Sequence, residues 1–196
     1  GIGGLGTAGL LAKAGYRVTL LEKNDQLGGR AGVFEAEGFR FDMGPSWYLM
    51  PDIFEHFYEL MGESVRDHLR LKKLSPSYRV FFDGRSEPVD LFADMRKDLE
   101  TFEKLEPGSG DRVKDYLEIS ERQYDIAKRR FLYKNYDSVL DFLNVNTLIE
   151  GSRLSVFSSM DAYVKRFFHT EEMRKLMQYT LVFLGSSPYN TPALYN

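Results

Sequence analysis

The sequence contains no cysteine among its 196 residues. Disulfide bonds, thiolate nucleophiles and cysteine-ligated metal sites are therefore excluded. Histidine is scarce as well, since only His56, His68 and His169 are present and their spacing fits no metal-ligand pattern. We interpret the three histidines as surface or packing residues, and we predict no metal site.

An excess of basic residues is also lacking, because 26 lysines and arginines face 29 aspartates and glutamates, for a net charge of −3. Nucleic-acid-binding domains usually present a strongly basic face, so we predict no nucleic-acid partner. Neither a signal peptide nor an apolar run of about 18 residues, as a spanning helix needs, is present. With 43% hydrophobic residues we expect a globular protein. The lack of cysteine fits a reducing compartment, so we expect a cytoplasmic protein that is peripheral to the membrane.

Glycine is concentrated at the start of the chain, where the sequence reads GIGGLG, and two registers of a dinucleotide-binding turn fit it. Gly1, Gly3 and Gly6 form G-x-G-x-x-G as the sequence stands. If a further glycine precedes the chain, Gly1 and Gly4 are instead the second and third glycines of that motif. In either register the glycines let a pyrophosphate approach a helix N-terminus, whose N–H groups carry partial positive charge.

The residues after the glycines complete the pattern of a dinucleotide-binding unit. Small apolar residues recur at helical spacing from Leu5 to Ala12, which predicts a helix packed on a sheet, and residues 16–21 predict a buried strand. The strand ends at Glu22, where a carboxylate can accept hydrogen bonds from an adenosine ribose. Because a carboxylate repels the extra phosphate of NADP, FAD or NAD is favoured. A plain glycine turn is the alternative.

Further glycine turns follow. Gly28-Gly29-Arg30 would allow close backbone approach and add a forked cation to the pyrophosphate. A turn with a surface arginine explains the residues alone equally well, but their position just after the predicted strand and Glu22 favours phosphate contact. Residues 31–36 and 39–41 predict a hairpin around Glu37-Gly38. Gly44-Pro45 predicts a turn that could lay backbone N–H groups beside a flavin ring.

These residues carry a family resemblance. The glycine-rich start, Glu22-Lys23, Gly28-Gly29-Arg30 and residues 38–45 together resemble the N-terminus of the bacterial-type phytoene desaturases, which are FAD-dependent carotenoid desaturases in the flavin amine oxidase-like group. Residues 41–47, followed by Pro51-Asp52, are similar to the carotenoid branch in particular, and the tail at 185–195 resembles it again. The resemblance implies an apolar isoprenoid or carotenoid substrate and FAD as the cofactor. The FAD-binding residues it implies are Gly1, Gly3, Gly4, Glu22, Lys23, Gly29, Arg30, Gly44 and Pro45.

The resemblance also implies the fold, an α/β class with a Rossmann-like FAD-binding region at residues 1–74. Residues 75–196 would begin a helix-rich, α+β substrate-binding region. A dinucleotide fold has a strand before its glycine turn, so we expect the chain to be an N-terminal fragment that lacks this first strand and the C-terminal part of the flavin site.

The rest of the chain predicts short strands and then helices. Asp52 is the predicted N-cap of a helix that ends at Gly62. The predicted strands are residues 69–74, 78–82 and 88–91. The predicted later helices are residues 94–106, 111–131, 159–168 and 170–184. On the helix at 111–131, Leu117 is among the residues predicted to face inward.

Residues 128–136, from Lys128 to Tyr136, interleave cations with aromatic side chains. Such a stretch can lie at a lipid headgroup surface, so a membrane surface is a candidate partner. A solvated helix end with inward-facing aromatics is the alternative.

No set of side chains identifies a catalytic group. Asp161 could accept a proton, although an ordinary solvent-facing aspartate is the favoured interpretation. In a desaturase the flavin takes the hydride, so no side-chain nucleophile is required. A flavin amine oxidase-like enzyme, a saturase of the same substrates and a non-catalytic nucleotide-binding module remain alternative functions.

Overall fold

The computed structural model describes residues 1–45, 47–135, 137–138, 155 and 157–195. The described chain forms two compact units, Gly1–Lys72 and Lys73–Asn196. The predicted roles of residues 1–74 and 75–196 remain predictions. The α/β class is confirmed, since both units combine helices with a small two-stranded sheet.

The first unit contains a long helix, a hairpin and two further helices. The glycine-rich start forms the predicted helix, with Gly1 as its N-cap, and the predicted hairpin turns at Glu37 and Gly38, whose φ values are 51° and 81°. Positive φ at both central residues is what a tight type I′ hairpin turn requires. The elements are α1 (Ile2–Lys13), β1 (Val33–Ala36), β2 (Phe39–Asp42), α2 (Pro51–Met61) and α3 (Val65–His68).

The predicted strand at residues 16–21 is wrong for this structure, in which those residues form no strand. A strand needs a neighbour for its backbone hydrogen bonds, and within the described part of this unit β1 and β2 pair with each other. The small face of α1, which was predicted to pack on a sheet, contacts the helix α2 instead. A Cβ built at Gly6 would lie 3.5 Å from Cε2 of Phe57, and one at Gly9 would lie 3.6 Å from Cε of Met61, both on α2.

Helix α2 begins one residue earlier than predicted. Pro51 occupies the first turn and Met50 is the N-cap, so the prediction of Asp52 as N-cap is wrong. The physical reason is that proline fits the first helical position, where its missing N–H costs nothing. The predicted end at Gly62 is confirmed, with a left-handed φ of 76°.

Within the described residues, the second unit is a helical cluster with an antiparallel strand pair. Residues 69–74, which span the boundary between the two units in the sequence, form no strand. The two predicted C-terminal helices are shorter than expected. Lys128–Leu132 is a π-helical turn, and Tyr179–Val182 and Ala193–Tyr195 are 3-10 turns. The elements are β3 (Tyr78–Val80), β4 (Val89–Leu91), α4 (Met95–Leu105), α5 (Ser109–Ala127), α6 (Met160–Val164) and α7 (Glu171–Met177).

Aromatic rings lie at the centre of the core of the second unit. The ring of Tyr116 lies 5.4 to 5.8 Å from the rings of Tyr163, Phe167 and Phe168. Leu117, predicted to face inward, is exposed, because its neighbour Tyr116 occupies the buried position. The buried apolar side chains of this core include Val89, Leu91, Phe102, Val113, Met160, Val164, Met173 and Leu176.

Candidate functional site

The N-terminus of α1 has the properties of an anion-binding end. The first hydrogen bond inside the helix runs from the Leu5 N–H to the Gly1 carbonyl, at 3.1 Å. The N–H groups of Ile2, Gly3 and Gly4 therefore have no carbonyl acceptor within the helix. Among the described residues no side chain caps α1, and its first turn carries no acidic residue. Such N–H groups at a helix N-terminus can bind a phosphate.

Glu22 lies beside the same helix end. Its Oε2 is 3.8 Å from the amino nitrogen of Gly1, and its Oε1 accepts a hydrogen bond from the Asn24 N–H at 3.1 Å. The side chain is 20% exposed, so the loop holds the carboxylate largely covered. The structure thus brings together the helix end and the acid, the two groups that the sequence pattern assigned to the pyrophosphate and the ribose.

The second glycine turn packs directly on the first. Gly28 and Gly29 have left-handed φ values of 108° and 62°, which favour glycine. A Cβ atom on Gly29 would lie 2.9 Å from the Cα atom of Gly1, closer than such atoms approach. Backbone therefore meets backbone at this point, and the second glycine turn lies beside the α1 N-terminus.

Gly44 joins the site through its backbone. A Cβ atom on Gly44 would overlap the carbonyl oxygen of Arg30, and the neighbouring Met43 N–H donates to the Gly32 carbonyl at 2.9 Å. The turn at Gly44-Pro45 is therefore held against the backbone of the second glycine turn. Segments far apart in the sequence converge on one patch of the first unit.

Other predicted site residues contribute less to this patch. A Cβ on Gly3 would meet nothing within 4 Å, and one on Gly4 would lie 4.0 Å from Cδ1 of Leu20. Lys23, Arg30 and Pro45 are exposed. Their contact with a flavin cofactor remains a prediction.

Gln26 is a residue that the sequence reasoning missed. Its amide nitrogen donates to the Val33 carbonyl at 2.8 Å, and its Oε1 accepts from the Val33 N–H at 2.6 Å. These bonds tie the loop after Glu22 to the start of β1. A single glutamine seven residues before a strand gives no sequence signal for such a contact.

The remaining candidates lie in the second unit. Asp161 forms an ion pair with Lys165 at 2.7 Å, and its side chain is only 15% exposed. The prediction that Asp161 faces solvent is therefore wrong. The pairing follows from their helical i, i+4 spacing. Across the described residues, no group of three or more acidic or histidine side chains could hold a metal ion.

The cationic stretch after α5 carries two contacts with the preceding helical turn. The Lys128 ammonium lies 5.1 Å from the centre of the Tyr124 ring, and the Arg129 guanidinium lies 3.7 Å from the Asp125 carboxylate. Both contacts follow from the four-residue spacing of a helix face.

Apolar surface accompanies these cations, since Leu132 and Tyr133 are each 52% exposed. Tyr136 and the side chain of Arg130, both part of the predicted membrane contact, lie outside what the structure describes. No helix within the described ranges has the length and apolar character needed to cross a bilayer.

Comparison with known proteins identifies the family. The family of flavin containing amine oxidoreductases matches residues 2–195. The chain belongs to this family. Family membership implies FAD, the cofactor that the desaturase resemblance implies and one of the two, FAD or NAD, favoured by the glycine turns and Glu22.

Curated relatives match the entire chain. A carotenoid 3,4-desaturase of Haloarcula japonica is 46% identical over 198 residues, which cover all of this chain and 40% of the relative. A 4,4'-diapophytoene desaturase (4,4'-diaponeurosporene-forming) of Staphylococcus aureus strain MRSA252 is 32% identical over 196 residues and 39% of its length. The chain thus spans about two fifths of these relatives. Their names agree with the carotenoid desaturase resemblance carried by the glycine turns and the tail.

Proposed function

We propose that the protein containing this chain is an FAD-dependent oxidoreductase that desaturates a long-chain isoprenoid hydrocarbon, phytoene or a related carotenoid precursor. The observation that carries this proposal is the 46% identity to a carotenoid 3,4-desaturase along the whole chain. Membership of the flavin containing amine oxidoreductases supports the cofactor. When bound, FAD supplies the acceptor for the hydride that leaves one carbon, while the neighbouring carbon loses a proton.

In this proposal the first unit is part of a Rossmann-like FAD-binding domain. The N-terminus of α1 binds the pyrophosphate, Glu22 accepts hydrogen bonds from the adenosine ribose, and Gly44-Pro45 approaches the flavin ring. Lys23 and Arg30 are exposed on either side of the loop that contains Gln26. Their cations are available to the anionic cofactor.

The geometry favours the register in which Gly1 and Gly4 are the second and third glycines of the motif. Gly1 abuts the backbone of Gly29, and Gly4 faces Leu20 in the segment that leads to Glu22. The third glycine of the fingerprint serves close packing of helix and strand. In the literal register Gly3 is the second glycine, and its open surroundings also admit a pyrophosphate. The third glycine of that register, Gly6, faces the Phe57 side chain of α2 and not the segment that leads to Glu22.

We propose that residues 75–196 belong to the substrate-binding region. A long polyene offers few polar groups for recognition, so its site must be largely apolar. Several large apolar side chains of the second unit remain exposed near its C-terminus, among them Val182, Phe183 and Tyr189. Such surface is available to an apolar ligand.

We propose a peripheral membrane location because the proposed substrate is apolar. Lipid tails are about as apolar as a protein tunnel, so a polyene moves between them at little cost. Transfer through water would forfeit roughly 0.8 kcal/mol for each buried CH₂ group. The cationic, aromatic segment at residues 128–136 is the proposed contact with anionic headgroups.

The deciding experiment is incubation of the full-length protein with phytoene or a thirty-carbon analogue under saturating FAD. Absorption that shifts to longer wavelength reports added conjugated double bonds and supports the proposal. Bound flavin that oxidises small amines but leaves the polyene unchanged would identify an amine oxidase-like enzyme. Loss of double bonds from a carotenoid would identify a saturase, and purified protein without flavin absorbance would leave a nucleotide-binding module.

A further inference from the structure

The side chain of Gln26 pairs with the backbone of Val33 at the edge of β1, as a neighbouring strand would. The carbonyl of Gly32 accepts a hydrogen bond from Met43, so it points toward β2. In a trans peptide the N–H of the next residue points the opposite way, which directs the Val33 N–H to the outer edge of the hairpin. Gln26 pairs with Val33 there through one accepted and one donated hydrogen bond, at 2.6 and 2.8 Å.

The glutamine amide supplies both the donor and the acceptor that these two bonds need. A glutamine side chain carries a carbonyl oxygen and an NH₂ group, whereas a glutamate of the same shape is acceptor-only when ionised. The fit at this point is tight, because a Cβ on Gly32 would lie 2.9 Å from Oε1 of Gln26 and 3.1 Å from the Gly29 carbonyl oxygen. The amide is therefore wedged between the hairpin edge and the second glycine turn.

Gln26 lies in the loop that connects two parts of the proposed FAD site. The loop that contains it joins Glu22, at the ribose position, to Gly29, which packs on the α1 N-terminus. Fixing the middle of the loop to β1 restricts both ends at once. A loop ordered before the ligand arrives reduces the conformational entropy lost on binding.

We propose that Gln26 is a positioning residue for FAD, which holds the ribose acceptor and the pyrophosphate turn in their binding arrangement without touching the cofactor. This inference rests on the proposed assignment of the first unit as the FAD site. It predicts a loss of FAD affinity when the amide pairing is removed. Turnover should change little once FAD fills the site.

The test uses full-length protein with Gln26→Met, which keeps the length but removes both bonds, and Gln26→Glu, which keeps the shape but loses the donor. Asn24→Ala is the matched control, because Asn24 contacts Glu22 through its backbone N–H. FAD affinity is measured by fluorescence titration of the apoprotein, and turnover is measured at saturating FAD. We expect about tenfold weaker binding for both Gln26 variants, less than twofold change for the control, and unchanged saturated turnover.

The outcomes separate this inference from the proposed function. Wild-type affinity in either folded Gln26 variant, alongside flavin loss in Glu22→Ala, overturns the positioning role alone. A fall in saturated turnover as large as the fall in affinity shows general disruption and also overturns it. Wild-type protein that binds no FAD contradicts both proposals. Should Gln26→Met fail to fold, Gln26→Glu decides the matter because it preserves the side-chain shape.

Discussion

Glu106 accepts hydrogen bonds from both the N–H and the hydroxyl group of Thr170, at 2.8 and 3.0 Å. The same oxygen accepts from the His169 N–H at 2.9 Å, and Arg112 donates to the other carboxylate oxygen. Thr170 in turn caps α7 by accepting from the Met173 N–H. Because Glu106 is the C-cap of α4, one carboxylate joins the end of α4 to the start of α7.

Replacing Glu106 with glutamine should destabilise the protein by about 3 kcal/mol, the cost of breaking a buried ionic network. The side chain is only 6% exposed, and the amide would turn a donor toward groups that already donate. Urea unfolding of the full-length protein measures the change. Glu100→Gln on the exposed side of α4 is the control, with an expected change below about 0.5 kcal/mol. Equal losses from both variants would contradict the assigned role.

The contribution of Glu106 should also depend on pH. Burial alone would raise the pKa of its carboxyl group, but hydrogen bonds from Thr170, His169 and Arg112 lower the pKa overall. A folded-state pKa below the unfolded value of about 4.3 makes the stabilisation complete above that value. It is lost as pH falls through the folded-state pKa.

The measurement is the difference in unfolding free energy between wild type and Glu106→Gln, from pH 7 down to pH 3. We expect a constant difference from pH 7 to about pH 5, then a decline as the wild-type carboxylate is protonated. A difference that stays constant to pH 3 would show that the charge of Glu106 does not stabilise the fold.

Local signals in the sequence were sufficient where a few neighbouring residues decide the structure. Glycine permits the positive φ at Gly38 and Gly62, so the hairpin turn and the end of α2 could be predicted. Helix α1, with Gly1 as its N-cap, and the position of Glu22 followed from one motif of about 22 residues.

Features that depend on distant partners could not be predicted in the same way. Residues 16–21 have the composition of a strand, but a ladder also needs an adjacent strand, which composition does not report. The Gln26 amide meets Val33 because the chain turns back at the second glycine turn. The packing of Gly29 on Gly1 likewise joins segments that only the folded chain brings together.

Replacing Glu22 with alanine should deplete the purified full-length protein of flavin. A hydrogen bond to a charged acceptor contributes roughly 1.5 to 3 kcal/mol, which corresponds to about one to two decades of FAD affinity. Asp25→Ala in the same loop is the matched control, because Asp25 is exposed. Flavin absorbance of the purified protein and FAD titration of the apoprotein report the result. Unchanged affinity in Glu22→Ala would remove Glu22 from the FAD site.

Replacing Gly29 with alanine should lower the stability of the protein, whereas replacing Gly3 with alanine should raise it. At Gly29 a Cβ would lie 2.9 Å from Cα of Gly1 at a φ of 62°, so we expect weakened FAD binding and a cost of at least about 1 kcal/mol in stability. At Gly3 the added methyl group meets nothing within 4 Å and improves helix propensity by about 1 kcal/mol.

FAD titration and thermal unfolding of the two full-length variants provide the measurement. Retained flavin in Gly3→Ala supports the register in which Gly1 and Gly4 are the motif glycines. Flavin loss in that variant would instead support the literal G-x-G-x-x-G register, whose second glycine must admit the pyrophosphate.

The segment at residues 128–136 should bring the full-length protein to anionic membranes. Each cation near such a surface is worth about 1 kcal/mol, and less at high salt. The Arg129 contact with Asp125 is exposed and 3.7 Å long, so it competes only weakly with a headgroup. Exposed Leu132 and Tyr133 supply apolar surface that can enter the interface beside the cations.

Liposome flotation at low and high salt tests this attachment with two quadruple glutamine variants of equal charge change. The first variant replaces Lys128, Arg129, Arg130 and Lys134. The control replaces the exposed cations Arg70, Lys72, Arg85 and Arg96. Because the electrostatic attraction falls off within a Debye length of about 10 Å, charge removed from the true contact should reduce binding far more than charge removed elsewhere. Equal losses would show attraction by net charge alone, and no vesicle binding by the wild type would refute a peripheral membrane enzyme.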